Sequence, residues 1–418
     1  MNRRRVVTPV RVSSRESDYA RLDAFVSGRD IYRIGESAIA VENQVKAGYR
    51  KIESVIPVSM INLDRFRDND ITTDLEHLFE YLWPVEISVR FVAADTRVRT
   101  SKYEVSLTQK TEVSLFSGGI DSLATLLKRI TEGRRPIALF VAHSDLGGLI
   151  HIVQSLYKSV LEQISVPLLT LYAPPLRRAG YSQTRGFLYG MAALAVAESL
   201  RRRSFVMGEC GPTMHQPRFG PFDTTTMTSH PLVLEVIRSI AKKLTQNRIR
   251  LETPLAGHTK AEAMALIKDR GWLKLTHSCI SQQFRSHDGT CYGCIIRRLA
   301  SMALGIPDVH YRYDSIVSGR KGKDNLVSLL RFSYDMLTDF DALPEDVIEE
   351  IKKWKTRDLF ERFALDNLAG FRIWIHAYPY TPPFADRILK AFPIGELNEA
   401  LTERVAKVRT AHADTLSP

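Results

Sequence analysis

The chain has 418 residues, 44% of them hydrophobic, which is long for one typical domain and predicts two or three domains with a sizeable core. Charged residues make up 25%, as in ordinary soluble proteins, and the net charge of +11 either favours a phosphate-rich or acidic partner or only maintains solubility. No apolar run approaches the ~20 residues of a membrane span, and Arg3–Arg5 precede no signal-peptide core, so we expect a cytoplasmic protein without membrane contact.

Residues 1–108 contain no chemical motif. Segments 31–34, 37–41 and 85–92 predict strands from their β-branched content and alternation, and segment 75–82 predicts a short helix. We therefore expect a β-rich α+β module of unknown role, for which packing or interaction is the default.

Strand and helix patterns alternate from residue 112 onward. Short apolar runs predict strands at 112–116, 136–141, 166–171 and 205–207, and amphipathic or Ala-rich stretches predict helices after residue 122 and at 149–161 and 187–200. This rhythm is typical of βαβ units in an α/β fold, a Rossmann-like parallel sheet that binds ligands at the carboxyl ends of its strands. We assign residues 109–305 to this domain.

Residues 306–418 show helical patterns at 325–337, 344–354 and 394–408. Pro379, Pro382 and Pro383 interrupt the helical pattern. The sequence thus predicts a C-terminal helical extension.

Ser117, Gly118, Gly119, Asp121 and Ser122 form a loop between a predicted strand and a predicted helix. Glycines allow close backbone approach to an anion, and a helix N-terminus offers free N–H groups and partial positive charge. Asp121 would lie in the first helical turn, where it could stabilise the dipole or help to hold Mg²⁺. A glycine turn with a polar cap is the simpler alternative. The loop is not a Walker loop, because no Gly-Lys-Ser/Thr follows.

The hexapeptide of residues 117–122 resembles the signature of the PP-loop ATP pyrophosphatases. The resemblance implies an adenine nucleotide alpha hydrolase-like domain that cleaves ATP between its α and β phosphates and forms a substrate adenylate. It assigns ATP binding to the five loop residues named above.

Further blocks resemble the 7-cyano-7-deazaguanine synthases, the QueC-like branch of that group. The segment 182–188 is similar to a family motif that places Arg185 on nucleotide or substrate, and Glu209 follows a strand where the family has an acidic residue near the substrate. The stretch 252–262 is similar to a third motif, in which Lys260 would meet a phosphate. Each has a plainer alternative: a solvated Arg185, a surface Glu209, and a capping box of Thr259 and Glu262.

Three of the four cysteines fall within residues 279–294, and in a reducing compartment such a cluster predicts a metal site before a disulfide. In the family, four cysteines bind zinc at this place. Cys279, Cys291 and Cys294 match three of them, and Asp288 stands where the family has its second ligand cysteine. His287 or Cys210 could supply the fourth ligand instead. A site of protein ligands only is typical of structural Zn²⁺.

The segment 140–145 departs from the synthases, which puts nitrile formation from ammonia in doubt. The extended ends are similar to those of QueC-like proteins of anti-phage operons, such as the Qat system. The resemblance implies an ATP-dependent ligase that uses Asp121, Lys260 and Arg185 to adenylate a 7-carboxy-7-deazaguanine-like acid, bound by Glu209 and Arg185. An amine, supplied by a partner protein of the same operon, would then attack the adenylate to give an amide. The alternatives are a tRNA-modifying PP-loop enzyme, with nucleic acid not favoured, and a non-catalytic nucleotide-binding subunit.

Overall fold

The computed structural model describes residues 9–11, 26–94, 111–143, 147–173, 182–215, 227–267, 269–279, 286–306, 308–317 and 320–416. Within these ranges no helix combines the length and the apolar character needed to cross a membrane. The described chain is mixed α/β with a helical C-terminal region, as the sequence predicts.

The central element is a five-stranded parallel sheet in the order β6-β5-β4-β7-β8. Its four predicted strands are confirmed, and a short fifth strand is added at one edge. The strands are β4 (Thr111–Leu115), β5 (Arg135–His143), β6 (Leu168–Ala173), β7 (Ser204–Val206) and β8 (Arg250–Glu252). Apolar residues of both faces are buried under helices, which explains why the strands appear as short continuous hydrophobic runs.

Helices connect these strands and cover the sheet. They are α4 (Ile120–Thr131), α5 (Gly147–Leu156), α6 (Arg185–Ser199), α7 (Gly211–His215), α8 (Pro231–Thr245), α9 (Lys260–Ala265), α10 (Arg270–Leu275) and α11 (Tyr292–Leu304). The predicted helix at 149–161 is confirmed, although a π-helical turn, Tyr157–Leu161, forms its end. Prediction from pattern missed α8, whose first turn begins at a proline.

The N-terminal part differs from its predicted secondary structure. It contains a parallel sheet of β1 (Pro9–Arg11), β2 (Lys51–Ser59) and β3 (Glu86–Ala94), together with α1 (Val26–Lys46), α2 (Met60–Asp68) and α3 (Ile71–Leu82). The strands expected at 31–34 and 37–41 are wrong, because both segments lie within α1. The expected strand at 85–92 and helix at 75–82 are confirmed.

The reason for the error lies in the spacing of the apolar residues in α1. Ile31, Ile34, Ala38 and Val41 are all buried and follow a helical period that runs through both segments. Helix α1 packs on α6, and a Cβ on Gly35 would lie 2.9 Å from Leu188 Cδ1. The N-terminal helices share one hydrophobic core with the central sheet. The division into domains 1–108, 109–305 and 306–418 stays a prediction.

The C-terminal helices are α12 (Arg320–Thr338), α13 (Glu345–Trp354), α14 (Arg357–His376), α15 (Pro383–Ala391) and α16 (Asn398–Leu416). Most of their apolar faces form a core of their own, which also takes in one face of α11. Val408 of α16, in contrast, packs into the core beneath α4 and α9. The predicted proline break lies between α14 and α15, and Pro383 is the first residue of α15.

Candidate functional site

The candidate phosphate loop, residues 117–122, lies at the carboxyl end of β4, as the strand–loop–helix pattern predicts. Gly118 has a φ of +78°, a conformation that favours glycine, and Gly119 is the N-cap of α4. Ser122 Oγ donates to the Gly119 carbonyl at 2.9 Å, and Ser117 Oγ accepts from the Gly119 N–H at 3.4 Å. The loop is therefore a shaped turn in which serine hydroxyls and helix N–H groups face the same end of the sheet.

Asp121 and Lys260 form an ion pair beside this loop. Lys260 Nζ donates to both carboxylate oxygens of Asp121 at 2.7 Å, and both side chains are largely buried. Burial alone would lower the pKa of Lys260, but the charge of Asp121 and the hydrogen bond to it are the main causes that outweigh burial and raise that pKa. The ammonium therefore stays charged at neutral pH.

Glu209 follows β7, the neighbour of β4 in the sheet, and faces the same pair. Burial and the Asp121 carboxylate raise the pKa of Glu209 to about 7, while Lys260 and Arg185 oppose that rise. The next residue, Cys210, directs its backbone N–H at Asp121 Oδ2 over 3.4 Å. Two carboxylates and two cationic side chains thus meet at the carboxyl ends of β4 and β7.

Close packing at Gly208 allows this approach of β7 to the loop helix. A Cβ there would lie 2.1 Å from Thr125 Oγ1 of α4. Any larger residue would force either the Thr125 side chain or the backbone next to Glu209 to shift.

Arg185 is the first residue of α6, and its segment is held by a residue that the sequence did not suggest. The Glu42 carboxylate of α1 accepts from Ser182 Oγ at 2.8 Å and from the Thr184 N–H at 3.1 Å. Burial opposes the charge on Glu42, but the hydrogen bonds from Lys46, Thr184 and Ser182 outweigh it and lower its pKa. No motif marks Glu42, so only the packing of α1 on α6 reveals its role.

Gly186, the second residue of α6, lies where only a small residue fits. A Cβ on Gly186 would lie 1.5 Å from the Thr228 carbonyl oxygen. The 3-10 turn Met227–Ser229 therefore packs directly against the start of α6 in this chain.

Cys279, Asp288, Cys291 and Cys294 converge as a candidate metal centre. All four are buried, and one ligand atom from each lies within 4.8 Å of the others. Hydrogen bonding with the Cys279 thiol and burial raise the pKa of Cys291, because several thiolates cannot share one buried place without a cation. Three sulfurs and one carboxylate suit the tetrahedral coordination of Zn²⁺.

The two other candidates for fourth ligand have different surroundings. His287 Nε2 accepts from the Ser278 N–H at 3.1 Å and contacts the Arg297 guanidinium at 3.2 Å. Cys210 lies beside Asp121, with its sulfur 3.1 Å from Thr213 Oγ1. Among the described residues, the group that could hold an ion therefore contains Asp288 and neither alternative.

The metal centre is connected to the phosphate loop through one short segment. Buried Arg297 of α11 donates to the Leu273 and Thr276 carbonyls at 2.9 and 2.8 Å, and it pairs with Asp308. His277, which follows Thr276 in the chain, donates its backbone N–H to the Gly118 carbonyl at 2.9 Å. The helix that carries Cys294 is therefore joined to the loop of residues 117–122 through the hydrogen bonds of Arg297 and His277.

Comparison with known proteins agrees with this architecture. Residues 229–305 match the family model for queuosine biosynthesis protein QueC, and this stretch includes Lys260 and all four candidate metal ligands. A search of curated proteins finds no match. The match supports similarity to a QueC-like PP-loop family and fits an ATP-using enzyme. The loop at 117–122, Arg185 and Glu209 lie outside the matched stretch, so their roles rest on geometry.

Glu209 gives the site a pH dependence that can be measured. Its pKa is raised from near 4.5 to about 7, so between these values the folded state binds more protons than the unfolded state. The free energy of unfolding is therefore expected to fall as pH rises through that window. Denaturant titrations at pH 5 and pH 7.5 should show a smaller fall in Glu209→Gln than in the wild type. Identical falls in both proteins would show that Glu209 titrates normally.

Proposed function

We propose that this protein is an ATP-dependent ligase that adenylates a 7-carboxy-7-deazaguanine-like carboxylate and then forms an amide with an amine. The observation that carries the proposal is the Lys260–Asp121 pair beside the phosphate loop, because Lys260 belongs to the QueC-like stretch and Asp121 to the loop. The pair thus brings the QueC-like stretch and the loop of residues 117–122 together in one site.

The reaction needs two displacements. A carboxylate oxygen of the substrate attacks the α-phosphorus of ATP, and the bond to the β-phosphate breaks to release pyrophosphate. The amine then attacks the acyl carbon, AMP leaves with the bridging oxygen, and the amine proton passes to solvent. Both steps move negative charge on phosphates, so positioning and charge neutralisation supply the catalysis.

The side chains divide this work by their charge. Lys260 and Arg185 neutralise phosphate oxygens, and the N–H groups of Gly119 and the first turn of α4 hold others. Glu209 can accept from a guanine-like edge when ionised, or donate to it when protonated. The Asp121 carboxylate lies beside Glu209 and helps to raise the pKa of Glu209. Two neighbouring carboxylates suit Mg²⁺, and the ion would supply further charge neutralisation when bound.

We further propose that the amine belongs to a partner protein, in an anti-phage setting. Segment 140–145 departs from the synthases, although Ser144 and Asp145 lie outside the described residues. The net charge of +11 favours docking of an acidic macromolecule by steering, and a docked amine has a far higher effective concentration than free ammonia.

The test supplies ATP and 7-carboxy-7-deazaguanine, first with ammonia and then with each protein encoded beside this chain. We expect AMP and pyrophosphate, together with a deazaguanine adduct on one neighbour by intact mass. Efficient conversion of the acid with ammonia alone, and no adduct on any neighbour, would contradict the partner amine. No AMP under any condition would contradict adenylation itself.

A further inference from the structure

The helix that begins at Lys260 has its N-terminus closed by the C-terminal helices. Thr259 caps α9 in a capping box, in which Thr259 Oγ1 accepts from the Glu262 N–H and the Glu262 carboxylate accepts from the Thr259 N–H. Thr259 Oγ1 also donates to Asp366 Oδ2 of α14 at 2.5 Å. The local cap that the sequence suggests is thus only part of a larger network.

Two arginines of the same helices complete the network. Arg404 of α16 donates from Nε to Asp366 at 2.7 Å and from a terminal nitrogen to Glu262 at 2.8 Å. Arg362 of α14 donates to both oxygens of the Glu262 carboxylate and to the Gly257 carbonyl. Every polar side-chain group of the capping box is therefore held from outside its own helix.

The centre of this network, the Arg404–Asp366 ion pair, is buried. The side chains of Arg404 and Asp366 are only 4% and 3% exposed. A buried ion pair gives little net stability, because the loss of hydration offsets most of the attraction. The bidentate geometry of the Arg404–Asp366 pair, in contrast, fixes the orientation of both partners. Lys260 follows Thr259 directly, so fixing this cap fixes the backbone from which Lys260 reaches Asp121.

A second contact from α14 supports the segment that carries Glu209. A Cβ on Gly211 would lie 2.3 Å from Leu359 Cδ2, and the Gly211 N–H donates to the His258 carbonyl at 3.0 Å. Gly211 comes two residues after Glu209. Helix α14 thus contacts both the segment that carries Lys260 and the segment that carries Glu209.

We propose that Asp366 and Arg404 are positioning residues, which orient Lys260 through the Thr259 cap and make the C-terminal helices a working part of the site. The proposal rests on the proposed function only in the statement that Lys260 meets phosphate. Its structural claim, that Lys260 loses its placement when the network is broken, can be tested without ATP.

The first experiment reads Lys260 directly by competitive acetylation and mass spectrometry. In the wild type, pairing with Asp121 should protect Lys260. In Arg404→Met and in the milder Asp366→Asn, its acetylation rate should rise about tenfold, as a one-unit fall in amine pKa would give. Lys243 of α8, which pairs with Asp74 of α3 and not with the cap network, is the internal reference and should not change. Unchanged Lys260 in both variants, or an equal rise at Lys243, would overturn the proposal.

The second experiment measures pyrophosphate release. The same variants should lose about 10²-fold in kcat/KM for ATP, the usual cost of ~1 Å misplacement. The control is Arg372→Met, because Arg372 joins α14 to α16 through Asn398 and Thr402 away from the cap. It should retain wild-type turnover. Equal losses in Arg372→Met and Arg404→Met would mean that helix packing alone matters. If Lys260 becomes exposed in the variants but the wild type itself never releases pyrophosphate, the proposed function is excluded and the positioning role is retained.

Discussion

Replacing Asp121 with asparagine is expected to slow formation of AMP and pyrophosphate by about 10²–10³-fold, the scale of one lost electrostatic contact in a transition state. Asparagine has nearly the same shape, so the fold should persist. The substitution removes the charge that holds Lys260 Nζ at 2.7 Å and one of the two carboxylates suited to Mg²⁺. Ser117→Ala should act in the same direction, because Ser117 Oγ accepts from the Gly119 N–H within the loop.

A matched control is Asp269→Asn, at another helix start. Asp269 caps α10 by accepting from the Gly271 and Trp272 N–H groups, and asparagine can accept the same bonds. This variant should turn over ATP like the wild type. Wild-type turnover in Asp121→Asn would exclude the loop from the mechanism, and ADP with phosphate as products would argue against adenylation.

The parts of the site that the sequence predicts are those encoded by local spacing. The loop of residues 117–122 joins a strand to a helix, and the rule for parallel sheets places Glu209 at the same edge. The convergence of Cys279, Asp288, Cys291 and Cys294 likewise follows from a short segment. In each case the turn or the sheet brings together residues whose positions the pattern already defines.

The parts that it does not predict depend on packing between distant elements. Glu42 reaches Thr184 across 142 residues, and Arg404 reaches Glu262 across another 142. Such pairs leave no signal in a short window of sequence, because the two partners lie on different elements far apart in the chain. The strands wrongly expected in α1 have a related cause: isoleucine and valine favour strands in short windows, and only a longer window shows the helical period.

Removal of one cysteine from the metal centre is expected to have the largest effect on stability. Wild-type protein should contain about one zinc per chain, and Cys291→Ser should lose it because three remaining ligands no longer close a tetrahedral site. Loss of a structural metal is among the few changes that cost more than about 4 kcal/mol of unfolding free energy. Metal analysis and denaturant titration measure the two effects together.

The control for this prediction is Cys210→Ser, because Cys210 is equally buried and lies outside the cluster. It should retain zinc, as should His287→Ala, whereas Asp288→Ala should lose it. Zinc lost from His287→Ala but retained in Asp288→Ala would show that histidine is the fourth ligand. Metal-free protein with full stability would exclude a zinc site. The activity of Cys291→Ser should fall as well, because Arg297 and His277 connect this segment to the Gly118 carbonyl of the phosphate loop.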